Sequence, residues 1–335
     1  MPSIIGINAT FPLGSRKSKL ALIQTNLVLK QLKELYPEYN FPILSRDTVG
    51  DEIINKALFE FKTQMAKSLW TRELEVLLMH GECRMLVHSL KDLPTDLPEG
   101  MTIACITRRS CPLDAVVMRA GSPYKSVSEL PPNSVVGTSS IRRRAMLQRH
   151  FPHLKFRDIR GNVGTRLAKL DAPDSPFDCL ILAAAGLIRL NLKDRITQML
   201  QAPFVFYAVG QGALAVEVRA DDTEIIELLK PLQDMETTYS CLAERALMKR
   251  LQGGCAIPIG VETQCLPLSK DKYSVVLQGM VVSSDGTRSA YASEFMEVSS
   301  EKDAEQLGMN VATALLKRGA GAILEEHHRS ESDSN

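Results

Sequence analysis

The chain has 335 residues, of which 44% are hydrophobic and 24% charged, and its formal net charge is +1. Nucleic-acid-binding domains are usually strongly basic, so this balance argues against DNA or RNA as the main partner, and an aromatic content of 5% argues against a platform for stacked bases. No run of 18 apolar residues and no secretory signal occurs in the sequence, so we expect a cytoplasmic protein. The 7 cysteines form no C-x-x-C pair, which favours reduced thiols over disulfides or a zinc site.

Strand-like and helix-like patterns alternate through the first two thirds of the chain. Apolar residues at helical spacing predict helices at 19–36, 71–80, 141–151 and 162–171. Short apolar runs predict strands at 41–49, 84–90, 102–107, 114–118, 133–140, 155–161, 178–186 and 212–220. Thr71 is expected to cap the second helix, with Glu73 and Glu75 in its first turn. This alternation predicts an α/β protein with largely parallel sheets.

The last third of the chain has a different pattern. Helices are predicted at 224–234 and 237–252, followed by two strands within 273–298 that a Ser-Asp-Gly turn joins. A further helix is predicted within 304–326, with Gly319 near a helix C-cap. These elements indicate a smaller α+β domain from about residue 235, and the polar tail is expected to be disordered.

Polar and basic residues cluster where the predicted strands end, which is where open α/β sheets bind their ligands. These residues are Arg16, Lys17, Ser18, Lys91, Asp92, Thr138, Ser139, Ser140, Arg142, Arg143, Arg160, Arg166 and Arg189. An arginine in the first turn of a helix opposes the helix dipole, and an anion would offset that cost. The six arginines in this set therefore suggest a ligand with several carboxylates or phosphates.

Each of these signals also has a structural explanation. An isolated arginine is more often a solvated surface charge, and the run IRRRAMLQRH, taken by itself, could contact nucleic acid. Lys91 and Asp92 could form a loop ion pair of little energetic value. Cys255 follows Gly253 and Gly254 on a tight loop, where it is either a packed thiol or a thiol presented to a ligand.

Taken together, eight segments resemble the porphobilinogen deaminases, also called hydroxymethylbilane synthases, of tetrapyrrole (haem) biosynthesis. They are GSRKSKLALIQT, TVGD, VHSLKDLPT, VVGTSSIRRR, FRDIRGNVGTRLAKLD, ILAAAGLIRL, YAVGQGALAVEVR and LAERALMKRLQGGCAIPIGV. Their order and spacing cover nearly the whole chain and are highly specific in combination. The spacing around YPEYNFPI and FPHLKF is similar to the fungal members of the family.

The resemblance implies a transferase that joins four porphobilinogen molecules head to tail, with release of ammonia. The chain grows on a covalently bound dipyrromethane primer and is released by hydrolysis as hydroxymethylbilane. Cys255 would carry that cofactor through a thioether, and Asp92 would be the catalytic carboxylate. The cofactor-binding residues would be Lys91, Thr138, Ser139, Ser140, Arg142, Arg143, Arg166 and Gln211. Arg16, Ser18, Arg160 and Arg189 would bind the substrate or the elongating chain, and Lys67 would belong to an active-site loop.

The resemblance also implies a fold of three domains. Two are doubly wound α/β domains of the periplasmic-binding-protein type, at 1–108 with 209–233 and at 109–208. The third, at 234–326, is a small α+β domain that carries the Cys255 loop, and 327–335 is the disordered tail. The family implies a cleft between the first two domains as the active site. No metal is expected, the partners are porphobilinogen and the growing polypyrrole chain, and the protein is expected to be a monomer.

The chain departs from the family pattern at Gln64 and Met65, where glycine is common, so the mobility of that loop is in doubt. Three other functions stay open from the residues alone. A carboxylate-binding module would need the arginines but neither Asp92 nor Cys255, and a thiol-dependent transferase would need a histidine base near Cys255. A DNA-binding protein would show nucleic-acid affinity that falls steeply with salt.

Overall fold

The computed structural model describes residues 8–46, 64–251 and 257–332, with only the backbone for 64–70, 328 and 330–332. The chain divides into two compact units. The first contains Met1–Arg109 and Ala213–Thr238, and the second contains Ser110–Gly212 and Tyr239–Asn335. The first unit is therefore discontinuous in sequence. The proposed division into three domains stays a prediction, because the second unit contains both a five-stranded and a three-stranded sheet.

The described strands and helices follow one another in chain order. They are β1 (Leu13–Arg16), α1 (Lys19–Leu35), β2 (Ile43–Arg46), α2 (Gln64–Met79), β3 (Met85–Ser89), β4 (Met101–Ile106), β5 (Asp114–Met118), β6 (Val135–Gly137), α3 (Ile141–His150), β7 (Lys155–Arg157), α4 (Val163–Asp171), β8 (Cys179–Ala183), α5 (Ala184–Arg189), β9 (Gln198–Leu200), β10 (Leu214–Arg219), α6 (Thr223–Leu229), α7 (Met235–Arg250), β11 (Ile259–Ser269), β12 (Lys272–Val282), β13 (Ser289–Val298), α8 (Glu301–Lys317) and α9 (Ala320–Ser332).

The first unit is built on a five-stranded sheet with the order β2-β1-β3-β10-β4. Strand β1 is parallel to β2 and β3, whereas β10 is antiparallel to both of its neighbours. One face of the sheet packs Leu13, Met85 and Val216 against helix α1. The other face packs Leu86 against Leu74 and Leu78 of α2. Both faces are buried by helices, as in a doubly wound fold.

The second unit repeats this arrangement in the order β7-β6-β8-β5-β9. Strand β6 is parallel to β7 and β8, and β5 runs antiparallel to β8 and β9. Helix α3 packs against one face through Ala145 and Met146, and α4 packs against the other face through Leu167 and Leu170. The prediction of an α/β fold is confirmed, although each sheet is mixed rather than wholly parallel.

The C-terminal part of the second unit is a three-stranded antiparallel sheet in the order β11-β12-β13, covered by α8. Gly260 on β11 lies so close to Phe206 and Met146 that a Cβ there would fall 2.7 Å from the Phe206 carbonyl oxygen. The close approach explains why glycine occupies this position. The predicted small α+β element at the C-terminus is confirmed as this sheet with its helix.

Some sequence-based assignments differ from the structure. Helix α2 includes Gln64–Met79, so Thr71 lies inside it rather than capping it, and its side chain hydrogen-bonds to Glu75 instead. Strand β8 ends at Ala183, and Ala184 already belongs to a helix. Strand β11 was not predicted, because Gly260 and Pro267 interrupt its alternation. Helix α9 continues to Ser332, whereas the tail from residue 327 was expected to be disordered.

Candidate functional site

In the first unit, the predicted site residues follow two neighbouring parallel strands. Strands β1 and β3 pair side by side, so Arg16 at the end of β1 and the turn after Ser89 lie at the same edge of the sheet. Gln24 on α1 donates a hydrogen bond to the Ser89 hydroxyl at 2.8 Å, and this bond ties the helix to that edge. The edge is the carboxyl end of the strands, where α/β sheets bind ligands.

Lys91 and Asp92 occupy a single turn of 3₁₀ helix, Leu90–Asp92, directly after β3. Leu90 is buried and anchors the turn, while Lys91 is half-buried and Asp92 is exposed. The Leu90 amide also donates to the carbonyl of Ala213, the residue before β10. The turn therefore places Asp92 at the surface, next to the buried Leu90. Ser18 has a structural role as well, because its hydroxyl caps α1 by accepting from the Ala21 amide at 3.3 Å.

In the second unit, the segment between β6 and α3 forms the corresponding edge. Thr138 is buried and its hydroxyl accepts from the Ser140 amide at 3.2 Å, and Ser140 in turn caps α3 by accepting from the Arg143 amide. The Ser139 hydroxyl donates to the carbonyl of Ile159 at 2.9 Å and accepts from its amide at 3.1 Å. These bonds hold the start of α3 against the residues that follow β7.

Arg142 and Arg143 are both buried, and both contact Asp114 at the start of β5. The Asp114 carboxylate accepts four hydrogen bonds: one from Arg142, two from Arg143 and one from Gln211. Burial acts to raise the pKa of Asp114. The charges of Arg142 and Arg143, together with their hydrogen bonds, outweigh that effect and hold the pKa well below its usual range. Asp114 is thus an anion inside the protein that offsets part of the charge of these arginines.

Gln211 connects this cluster to the segment that leaves the second unit. Its side-chain amide donates to the Pro112 carbonyl at 2.7 Å and to Asp114 at 2.9 Å. The next residue, Gly212, has φ +90° and accepts a hydrogen bond from the Ser110 amide. The two segments that join the units, 110–113 and 209–212, therefore lie side by side within the second unit.

Arg189, at the end of α5, donates from Nη2 to the Gly212 carbonyl at 2.8 Å. Among the described residues, no carboxylate pairs with its guanidinium. Burial, with no opposing charge, lowers the pKa of Arg189 to about 10. A partly desolvated cation that contacts a neutral carbonyl is poorly compensated, and an incoming anion would stabilise it.

Arg160 and Arg166 lie in the loop and first turn after β7. Asn162 caps α4 by accepting from the Thr165 amide at 2.8 Å, and Arg166 Nε donates to the Gly161 carbonyl at 2.6 Å. Arg160 is exposed. Because β6, β7 and β8 are parallel neighbours, these residues share an edge with the start of α3 and with α5.

The structure thus gathers the predicted residues of each unit at one sheet edge. Cys255 lies outside the described residues. Lys67, Gln64 and Met65 lie in the first part of α2, where only the backbone is described.

Asp114 is the residue that the sequence reasoning missed. The sequence does carry a signal for it, because Asp114 begins an otherwise apolar strand. A carboxylate at such a position is expected to be buried, and a buried carboxylate requires partners.

The part of the chain that is described lacks two other kinds of feature, a membrane-spanning helix and a metal-binding cluster. No helix there combines the length and apolar character needed to cross a membrane. No group of three or more His, Cys, Asp or Glu side chains in that part could hold a metal ion.

The fold and the basic edges define a class of protein: an α/β protein whose basic side chains gather beyond the carboxyl ends of its strands. Residues 11–227 match the family model "Porphobilinogen deaminase, dipyromethane cofactor binding domain", and residues 238–317 match "Porphobilinogen deaminase, C-terminal domain". The chain belongs to the porphobilinogen deaminase family, and it is a transferase of tetrapyrrole biosynthesis with a dipyrromethane cofactor. The resemblance inferred from the sequence is confirmed.

Curated relatives match over nearly their whole length. The porphobilinogen deaminase of Schizosaccharomyces pombe is 70% identical over 97% of this chain and 96% of its own length. That of Yarrowia lipolytica is 49% identical, covering 94% of this chain and 92% of its own. The enzyme of the cyanobacterium Synechococcus elongatus is 48% identical, with 94% of each chain covered. The individual site residues stay predictions.

Proposed function

We propose that this chain extends its dipyrromethane primer by four porphobilinogen units and then releases hydroxymethylbilane by hydrolysis. Each pyrrole of the growing product carries an acetate and a propionate, so the ligand is a polyanion. In this proposal the carboxyl edge of the second sheet binds carboxylates through Arg142, Arg143, Arg160, Arg166 and Arg189. Thr138, Ser139, Ser140 and Gln211 complete that edge.

The observation that carries the proposal is the environment of Arg189. Its guanidinium is partly buried and contacts a backbone carbonyl, with no carboxylate of the described chain to neutralise it. A ligand carboxylate would supply the missing charge through charge-assisted hydrogen bonds, each contributing about 1.5–3 kcal/mol. Asp114 adds to the argument, because one carboxylate balances only one of the two arginines that it contacts.

The residues present therefore fit the dipyrromethane group. When bound, that group supplies the primer pyrrole to which substrate is joined. Cys255 is proposed as its covalent attachment through a thioether, and Lys91 is proposed to contact it. Arg16 and Ser18 are proposed to bind the incoming porphobilinogen at the first sheet edge. Lys67 was expected in an active-site loop, but it lies on helix α2.

Asp92 is proposed as the catalytic carboxylate. It is exposed on a turn that buried Leu90 anchors, so it can face substrate without moving the strand behind it. Positive charge develops on the substrate as ammonia leaves, and a carboxylate at about 4 Å stabilises it by about 4 kcal/mol at an effective dielectric of about 20. We expect Asp92→Asn to lower kcat roughly a thousandfold with little change in KM. A roughly thousandfold rise in KM with an unchanged kcat would assign Asp92 to substrate binding instead.

We also propose that the protein is a cytoplasmic monomer. Cys83, Cys105 and Cys179 are buried thiols without disulfides, and burial raises the pKa of each to about 12. Such thiols suit a reducing compartment. Sedimentation velocity tests the monomer, and imaging of a tagged chain in a fungal cell tests the location. A dimer mass or an organellar signal would overturn the respective statement.

The decisive experiment is the intact mass of the denatured protein, measured beside a Cys255→Ser variant. We expect the wild type to exceed its polypeptide mass by two deaminated porphobilinogen units, and the variant to show the bare mass. A wild type that stays bare after incubation with porphobilinogen would overturn the proposed attachment.

A matched pair of arginine variants tests the carboxylate edge. Arg119 is half-buried like Arg189 and also donates to backbone carbonyls, but it follows β5 at the opposite edge of the same sheet. We expect Arg189→Gln to raise KM for porphobilinogen roughly tenfold, or to change by a similar factor the relative amounts of the enzyme species that carry one to four added pyrrole units. Arg119→Gln should leave both unchanged, and equal effects of the two variants would contradict the proposed edge.

A further inference from the structure

Helix α2 and the first sheet bury three titratable side chains to which the proposed reaction gives no part. They are Glu75 on α2, His88 on β3 and Glu217 on β10, and each is exposed by 8% or less. Glu217 Oε2 lies 3.0 Å from His88 Nε2. We call these three side chains the acid–histidine cluster.

The strand register places the cluster on one face of the sheet. Glu217 pairs with Leu86 and His88 pairs with Ala215, so Glu217 and His88 are diagonal neighbours on adjacent strands. Leu86 and His88 are two residues apart and therefore share a face, and Leu86 packs against α2. The cluster thus lies at the interface between α2 and the sheet, wholly within the first unit.

The hydrogen-bonding capacity of the cluster is largely unused. In the described part of the chain, six fully buried side-chain nitrogen or oxygen atoms make no well-aligned hydrogen bond, and four of them are Glu75 Oε1, His88 Nε2 and both oxygens of Glu217. Two ionised carboxylates buried together without donors carry a large desolvation cost. A proton on one of them removes a charge and supplies a donor. The cluster therefore favours a proton that a solvated carboxylate loses at neutral pH.

The groups around Glu75 act on it in both directions. Burial is the largest influence and raises the pKa of Glu75, and the charge of Glu217 adds to that rise. The hydrogen bond with Thr71 and the charges of His88 and Arg72 lower the pKa, but the net direction is upward.

The remaining titratable groups near Glu217 are thiols and surface charges. Burial raises the pKa of Cys83, just before β3, and of Cys105, on β4, to about 12. The charges of Glu82 and of half-buried Arg219 act on Cys83 in opposite directions. Both thiols stay neutral, so proton exchange at this interface lies with the cluster.

We propose that the acid–histidine cluster is a proton-binding site that controls how firmly helix α2 is held on the first sheet. With the proton bound, Glu75 is neutral against the sheet. Once the proton is lost, two carboxylates repel each other across the interface and α2 opens more often. Lys67 lies on the same helix, so its backbone moves with that opening. The inference does not depend on the proposed function, because it concerns side chains that the reaction does not use.

Hydrogen exchange of backbone amides tests the proposal, because it measures the opening of each helix separately. Helix α1 covers the opposite face of the same sheet through apolar residues and is the internal control. The docked helix holds a proton that the open helix, with a carboxyl pKa of about 4.3, has released. After correction for intrinsic exchange, protection of 71–79 should fall above that pH by up to about tenfold per pH unit, while protection of α1 changes little. No fall in α2, or an equal fall in both helices, would overturn the proposal.

Two matched variants on α2 assign the proton. In Glu75→Gln an amide replaces the protonated acid, so the protection of α2 should no longer fall with pH. Glu73→Gln removes a carboxylate from the same helix outside the cluster, and the fall should stay as in the wild type. Loss of the pH dependence in both variants, or in neither, would contradict the proposed site.

Glu217→Gln tests whether the two acids act together. Without the charge of Glu217, Glu75 releases its proton at a lower pH, so the protection of α2 should level off at a lower pH than in the wild type. A profile that levels off at the same pH would show that Glu75 acts alone and would overturn the cluster. If a variant does not fold, the comparison of α2 with α1 in the wild type decides the proposal.

Discussion

The two five-stranded sheets share one arrangement but bury a carboxylate in different ways. In each sheet the fourth strand is antiparallel, and in each it carries a fully buried acid: Asp114 on β5 and Glu217 on β10. Asp114 is the first residue of its strand and lies at the sheet edge. Glu217 lies in the middle of its strand, opposite Leu86.

Their partners differ accordingly. Asp114 accepts four hydrogen bonds from charged and amide donors. Glu217 lies 3.0 Å from His88 Nε2, yet neither of its oxygens makes a well-aligned hydrogen bond within the described residues. Burial raises the pKa of Glu75 on α2, and the nearby charge of Glu217 adds to that rise. A carboxylate at the edge can recruit arginines from loops, whereas one inside the sheet depends on the few groups packed over it.

The largest expected effect is the contrast between Asp114→Asn and Glu217→Gln. Removing Asp114 leaves two buried guanidinium groups without their anion, so the free energy of unfolding should fall by about 3–5 kcal/mol. Glu217→Gln removes a charge that lacks good hydrogen bonds, and should cost about 1 kcal/mol or less. Urea unfolding measures both, and equal m-values show that the transitions are comparable.

The pH dependence of the free energy of unfolding provides a control for the contrast between Asp114→Asn and Glu217→Gln. Because the pKa of Asp114 is lowered in the folded state, its stabilisation is present above the unfolded value of about 3.9 and is lost as pH falls below it. The difference between wild type and Asp114→Asn should therefore narrow from pH 5 towards pH 2. A difference that stays constant over this range would contradict the ion-pair explanation.

The next effect concerns the segment that leads into β10. A Cβ on Gly212 would lie 2.6 Å from the Ser110 carbonyl oxygen, and its φ of +90° disfavours any side chain. We expect Gly212→Ala to cost about 3 kcal/mol of unfolding free energy. Gly100 also has a positive φ, but open space surrounds it, so Gly100→Ala should cost only about 1 kcal/mol. Similar melting temperatures for the two variants would show that a small shift of the backbone relieves the close approach between residue 212 and the Ser110 carbonyl oxygen.

A smaller effect is expected at Glu75. A carboxyl with a raised folded pKa costs stability once the pH rises above its unfolded value of about 4.3. Glu75→Gln should therefore melt at a higher temperature than the wild type at pH 8 and at the same temperature near pH 4. A variant that is less stable at pH 8 would mean that the Thr71 hydrogen bond to the ionised form outweighs burial.

The smallest effects are expected at the matching helix caps, Ser18 of α1 and Ser140 of α3. Each alanine variant should lose about 1 kcal/mol, because one amide at the helix start loses its acceptor. Aspartate also caps helices, so Ser18→Asp should recover most of the loss. A loss at only one of the two helices would show that the sheets differ at their edges as well as in their buried acids.

Local signals in the sequence predicted much of the fold. Residues 114–118 and 141–151 were assigned to the correct element because apolar runs and helical spacing are contained within each segment. The role of Asp114 could not be predicted in this way, since its partners lie 28, 29 and 97 positions away along the chain. Strand β11 was missed because Gly260 and Pro267 interrupt its alternation.

The position of β10 has a consequence for synthesis of the chain on the ribosome. The sheet of the second unit is complete once β9 has emerged at Leu200. The first sheet has a gap between β3 and β4 until Leu214–Arg219 has been translated, although its other strands emerge first. The later part of the chain can therefore close its sheet before the earlier part does, and a nascent chain that stalls before residue 214 exposes two unpaired strand edges.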